Sequence, residues 1–121
     1  MGFSKSKILS RAVFTTDLEN DAPTSNIDSI SIDTEKILLF TYWYNLKVDK
    51  QYEYKVAIYD GRKNILSLTP IPFKSTDSSW HTLTTYKINS KIDQPGKWKF
   101  EVYLNNKLMF VKFLEITPEK K

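Results

Sequence analysis

His81 is the one side chain in this chain whose ordinary pKa suits proton transfer near neutral pH, and Asp77, Ser78 and Ser79 stand just before it. A hydrolytic triad would need a serine nucleophile and a carboxylate converging on that imidazole. On an extended strand they do not converge, because residue i−1 points to the opposite face and its neighbours fan away. Asp77-Ser78-Ser79 therefore reads as a turn cap built from side-chain to backbone hydrogen bonds. A second chemistry would be cation binding by Asp17, Glu19 and Asp21, at alternate positions of a predicted loop. The glycine and the distal bidentate glutamate of a calcium loop are missing, and position 28 is Asp28, so the segment reads as a solvated acidic loop.

Other reaction classes fall to composition. Cysteine is absent, which removes thiolate nucleophiles, thiolate-ligated metals and disulfides. One histidine cannot build a multi-histidine metal centre, and three glycines cannot write a Walker or dinucleotide loop. The expectation is a non-enzyme with no metal and no cofactor. Glu53 with Glu101 is the carboxylate pair a glycosidase reading would need, yet both read as solvated strand positions.

What remains is aromatic: three Trp, seven Tyr and seven Phe. Planar rings give contact area at little entropic cost. Trp43, Tyr44, Tyr59, Trp80 and Tyr103 are the candidate binding residues, with the loops 60–64 and 74–79 beside them. Trp98 follows Pro95-Gly96 and heads an inward row with Phe100 and Val102, which makes it core.

The elements that must position these rings are strands. Tyr52, Tyr54, Val56 and Ile58 alternate with Glu53, Lys55, Ala57 and Tyr59, and Trp98, Phe100, Val102 and Leu104 alternate with Lys97, Lys99, Glu101 and Tyr103. Period two gives each strand one buried and one wet face, and no window carries an apolar stripe at helical spacing. Eight strands are expected, over 11–16, 28–32, 36–45, 51–59, 65–69, 80–88, 97–104 and 108–116. Asp60-Gly61 supplies tolerance of positive φ, Asn105-Asn106 fits a type I′ hairpin, and Pro70-Ile71-Pro72 marks an edge or a crossing. Residues 36–45 are apolar on both faces. Such a strand is either central and covered twice, or it opens one face to a ligand, through Thr41 and Trp43 or through Tyr42 and Tyr44.

The 121 residues suit one domain, expected at 11–117 between a flexible arm (1–10) and a basic tail (118–121). Lys plus Arg is 18 and Asp plus Glu 14, so the net charge is 18 − 14 = +4. That is solubility charge, and with Arg11 and Arg62 as the only arginines no nucleic-acid partner is expected. No stretch approaches the roughly 18 apolar residues of a membrane span, so no membrane insertion by this domain is expected.

Arg11-Ala12-Val13-Phe14-Thr15-Thr16, Pro23, Phe40-Thr41, Ser79-Trp80 and Pro95-Gly96-Lys97-Trp98-Lys99-Phe100-Glu101-Val102-Tyr103 follow one another in an order that resembles a bacterial family of immunoglobulin-like domains of uncharacterised function. The resemblance spans roughly residues 11–116. It implies an all-β, immunoglobulin-like antiparallel sandwich of seven or eight strands with Greek-key connections, and an extracytoplasmic placement in an envelope protein. It implies no catalytic residues. Tyr52, Tyr54 and Asp60-Gly61 stand where family members often carry a His and a Trp. The expected role is that of an accessory interaction module with a protein partner, the alternative being a carbohydrate-binding module that uses exposed rings. The expected core is Phe14, Phe40, Tyr54, Val56, Ile58, Trp98, Phe100, Val102 and Phe113.

Overall fold

Alternation of apolar and polar residues drives the chain into extended segments, and ten form. They are β1 (Leu9–Thr15), β2 (Leu18–Glu19), β3 (Ala22–Pro23), β4 (Ser29–Ser31), β5 (Lys36–Tyr44), β6 (Lys50–Tyr59), β7 (Ile65–Ser75), β8 (Trp80–Lys87), β9 (Gly96–Leu104) and β10 (Lys107–Thr117). The computed structural model describes residues 7–119; residues 1–6 of the expected arm, and Lys120 and Lys121 of the expected tail, lie outside the described residues. Leu9 and Ser10, assigned to the arm from sequence, open β1 by pairing with Tyr44 and Trp43.

The strands form a three-stranded sheet in the order β1-β5-β8, a five-stranded sheet in the order β4-β10-β9-β6-β7 and the small β2-β3 hairpin. Pairing is antiparallel except between β4 and β10, which run parallel. The chain changes sheet between β4 and β5, between β5 and β6, between β7 and β8 and again between β8 and β9. The result is an all-β, immunoglobulin-like sandwich.

Inward rows of both sheets meet in one core. Phe14, Ile37, Leu39 and Trp43 come from the smaller sheet, and Tyr54, Val56, Ile58, Trp98, Phe100, Val102, Leu114 and Ile116 from the larger. The polar ends of its large rings are paired. Trp43 Nε1 donates to Thr82 Oγ1 at 2.9 Å, Trp98 Nε1 donates to the Gln94 carbonyl at 2.9 Å, and the hydroxyls of Tyr54 and Thr84 lie 2.8 Å apart. A buried polar atom left unpaired is costly, and these bonds avoid that cost for Trp and Tyr.

Four expectations need correction. The acidic segment is no open loop: Asn20 and Asp21, both at positive φ, turn it into the β2-β3 hairpin. β7 runs on through Pro70 and Pro72 to Ser75. It is an edge strand, and prolines at alternate positions place their missing N–H groups toward the free side. Gly61 has no positive φ; Lys63 has (φ 67°), and Gly61 instead allows close approach, since a Cβ there would lie 3.4 Å from the Lys97 amide nitrogen. Phe113 is outside the core, 47% exposed; Phe40 is buried as expected, on the outer side of the smaller sheet and stacked on His81 at 4.9 Å. By contrast Asn105 and Asn106, at φ 51° and 64°, make the expected positive-φ hairpin turn.

Candidate functional site

The outward positions of the five-stranded sheet line up in rows because paired residues share a face. Ile65, Tyr59, Lys99 and Phe113 make one row, and Leu68, Ala57, Glu101 and Val111 the next. Pro70, Lys55, Tyr103 and Leu108 make the third. Two of the sequence candidates, Tyr59 and Tyr103, therefore stand on adjacent central strands of the same face, both half-buried.

Charge is woven between these rings. Tyr103 Oη donates to Glu101 Oε1 at 3.0 Å, and Lys99 Nζ reaches Glu101 Oε2 at 3.4 Å. Lys99 Nζ also sits 4.7 Å from the Tyr59 ring centroid, and Lys55 Nζ sits 5.0 Å from that of Tyr103. Lys97 Nζ lies 4.8 Å from the Phe113 ring centroid. An ammonium over a ring face is drawn by the ring quadrupole, so three lysines are held flat on the sheet. Hydrogen bonding to Glu101 holds the Tyr103 hydroxyl above its ordinary pKa. Around this network the surface is apolar: Ile65, Leu68, Leu108, Val111 and Phe113 are all exposed. The solvent face of a sandwich is usually polar; here exposed apolar residues of β7 and β10 flank the charged and aromatic centre carried by β6 and β9.

The other candidates are dispersed. Trp43 is fully buried, edge-on to Tyr54 at 6.1 Å, and offers no ring to a ligand. This corrects its assignment as a binding residue, and the reason is parity: position 43 shares the inward face of β5 with Ile37 and Leu39. Tyr44 is 36% exposed, but on the outer face of the smaller sheet, opposite Leu9. Trp80 is half-buried and parallel to Phe73 at 6.3 Å, which itself stacks on Tyr52 at 5.6 Å. That three-ring stack joins β8 to β6 and β7 across the edge of the sandwich.

The two candidate loops are braced from within. Asp60 Oδ1 accepts the Arg62 and Asn64 amides at 2.9 Å each, and Asn64 Nδ2 donates to Asp60 Oδ2 at 3.2 Å. Burial opposes charge on Asp60, but donation from Asn64 and Arg62 outweighs it and the carboxyl lies below its ordinary pKa. In the second loop, Ser75 Oγ donates to the Lys47 carbonyl at 2.6 Å and Asp77 Oδ1 accepts the Ser78 amide at 2.6 Å. Asp77 is thus the turn cap the sequence implied.

Nor do the reactive types meet. His81 projects outward from β8 beside Tyr42, on the opposite face from Thr82 and the core. Glu101 pairs with Ala57, four residues along β6 from Glu53, a spacing of about 13 Å on a strand. Among the described residues no three His, Cys, Asp or Glu side chains gather as a metal site.

Sequence reasoning missed Ile65, Leu68, Leu108, Val111 and Phe113. One signal could have found the last three. Leu108 to Leu114 is apolar at both odd and even positions, as in β5, and such a strand has both faces to account for.

No family model matches the chain, and no curated protein sequence matches it. Solved structures do. An alkylpurine DNA glycosylase from Pseudomonas fluorescens, bound to DNA containing an abasic-site analogue, superposes with a TM-score of 0.61 and 12% identity over 91% of this chain and 30% of its own. A β-glucosidase from Listeria innocua in complex with glucose gives 0.54 and 11% over 97% of this chain and 17% of its own. This chain therefore spans under a third of either enzyme. An immunoglobulin-like protein from Pseudomonas aeruginosa gives 0.54 and 6% over 94% of this chain and 99% of its own. At these identities the likeness is one of fold alone: this chain has an immunoglobulin-like architecture.

Proposed function

We propose that the domain is a non-catalytic interaction module, of the bacterial immunoglobulin-like kind with uncharacterised function, that docks a protein partner through the outer face of its five-stranded sheet. The observation that carries this reading is the exposure, on one sheet face, of Leu68 on one flank and Val111 and Phe113 on the other of the Tyr59–Lys99–Glu101–Tyr103 network. Large apolar side chains gain by leaving water, and an aromatic and ionic centre supplies orientation. The carbohydrate reading fits less well. A sugar stacks on bare ring faces, and Tyr59, Tyr103 and Phe113 each have a lysine ammonium within 5.0 Å of the centroid.

A photo-crosslinking amino acid at position 113, compared with one at position 85 on the outer side of the smaller sheet, tests the reading in cells. A discrete adduct from 113 that is absent from 85, and that is lost on Val111→Asp, is the expected outcome. Adducts of equal yield at both positions, or none at 113, reject it. A glycan array separates the alternative: a hit abolished by Tyr59→Ala and Tyr103→Ala would favour the sugar.

A further inference from the structure

A pocket of about 410 Å³ opens at one end of the sandwich, where the segment before β1 passes the start of β6 and the β9-β10 hairpin. Its apolar wall is Ile8, Tyr52, Leu104 and Met109. Tyr52 and Leu104 are inward, buried residues of the large sheet, so the pocket's inner wall is the edge of the core. At the mouth stand Lys7, Lys50 and Lys107, all exposed, and no carboxylate lines the pocket among the described residues. Lys50 Nζ leans over the Tyr52 ring at 5.2 Å from its centroid, which brings one ammonium to the boundary between mouth and floor.

We propose that this pocket binds a small amphipathic anion, an acyl chain that ends in a carboxylate. Its volume falls in the range of roughly 300 to 1,000 Å³ typical of small-molecule sites, which are mostly apolar with a few polar anchors. Three like charges around one opening raise the local potential, and an anion placed there relieves it. The wall selects for the chain. A bare inorganic anion would leave the apolar surface wet, and nothing in the lining resembles a cradle of backbone N–H groups. An uncharged chain of the same length would fill the wall yet leave the ammonium groups uncompensated. Asn105 is oriented by its Oδ1, which accepts the Glu53 amide at 2.9 Å. The site is separate from the proposed protein-docking face: its wall residues Tyr52 and Leu104 point into the sandwich, whereas that face points out.

The test is titration of the full chain with decanoate below its micellar concentration, followed by amide NMR, with decanol and acetate as matched probes. Expected are saturable shifts at Ile8, Leu104, Asn105 and Met109 with decanoate, and binding about tenfold weaker for decanol and for acetate. The double variant Lys50→Gln with Lys107→Gln changes only exposed side chains. It should weaken decanoate about tenfold, leave decanol unchanged and leave the NMR spectrum folded. Equal affinity for decanol and decanoate overturns the proposal. So does full binding by the double variant, or a shift map centred on Leu68, Val111 and Phe113, which would mark surfactant adsorption on the apolar sheet face.

Discussion

The rings inside the sandwich and the rings on the outer face of its larger sheet are the same residue types under opposite rules. Inside, Trp43 meets Tyr54, Tyr86 meets Trp98, and Phe14 meets Phe100 edge to face, with centroids 4.8 to 6.1 Å apart. Each buried indole N–H finds an oxygen. Outside, Tyr59, Tyr103 and Phe113 meet lysine ammonium groups in place of other rings. The interior geometry is enforced by packing, because a ring displaced there leaves a void and an unpaired donor. The exterior geometry can be exchanged, because water or a partner can replace a lysine at little loss. The first set holds the fold together, and the second is the one the proposed docking would use.

The largest break in that comparison comes from removing an interior ring. Trp98→Ala should lower unfolding free energy by about 3 to 5 kcal/mol in denaturant titrations. A loss under about 1 kcal/mol would mean that the indole packs against nothing essential. Next comes the backbone that delivers Trp98. Gly96 holds φ 141° against Gly61, and Gly96→Ala should destabilise by about 1 to 3 kcal/mol, read by the same titration.

A pH experiment sharpens the contrast between core-facing and outward-facing tyrosines. Burial, the hydrogen bond to Asp93 and the charge of that carboxylate push Tyr86 up to about 12. Its hydroxyl reaches both Asp93 oxygens at 3.0 and 3.1 Å, and Asp93 Oδ2 also accepts the Asn89 amide at 2.8 Å. In the unfolded chain this phenol ionises near the ordinary value of about 10. The native state therefore holds a proton that the unfolded state releases, and stability present below about pH 10 falls as pH rises toward about 12. Asp93→Asn should lower the Tyr86 midpoint and flatten that fall, as followed by tyrosinate absorbance and melting temperature. Glu101→Gln should likewise lower the Tyr103 midpoint but leave melting unchanged, since that pair lies on the outer face.

The smallest effect on stability is expected on the outer face. Phe113→Ser and Val111→Ser should shift unfolding free energy by no more than about 0.5 kcal/mol, and Val111→Ser should also remove the adduct formed from position 113. A shift of several kcal/mol would place these side chains in the core and erase the distinction.

Much of this was legible before any coordinates. Period two in 51–59 and 97–104 identified the two central strands of the larger sheet, and Asn105-Asn106 identified the turn beside them. The β2-β3 hairpin was not legible, because strands of two residues carry no periodicity. Within the candidate site, Tyr59 and Tyr103 could be read as outward from alternation with Ile58 and Val102. Phe113 could not. Lys112 suggested the opposite parity, yet it lies on the inward side, its Nζ 5.5 Å from the Phe14 ring centroid. A lysine can occupy such a margin because its stem packs while its ammonium escapes to water. The register shift between Leu108 and Phe110 sets that parity, and a bulge leaves no mark on hydrophobic spacing.

The chain's own pattern determined that it would be extended, layered and filled with rings, since alternation fixes which residues share a face whatever lies opposite. Which of two faces becomes interior was decided only when one sheet covered the other. Trp43 and Tyr44 are neighbours of the same chemical kind, and it is the second layer, present over one side of β5 and absent from the other, that made the first a core residue and the second a surface one.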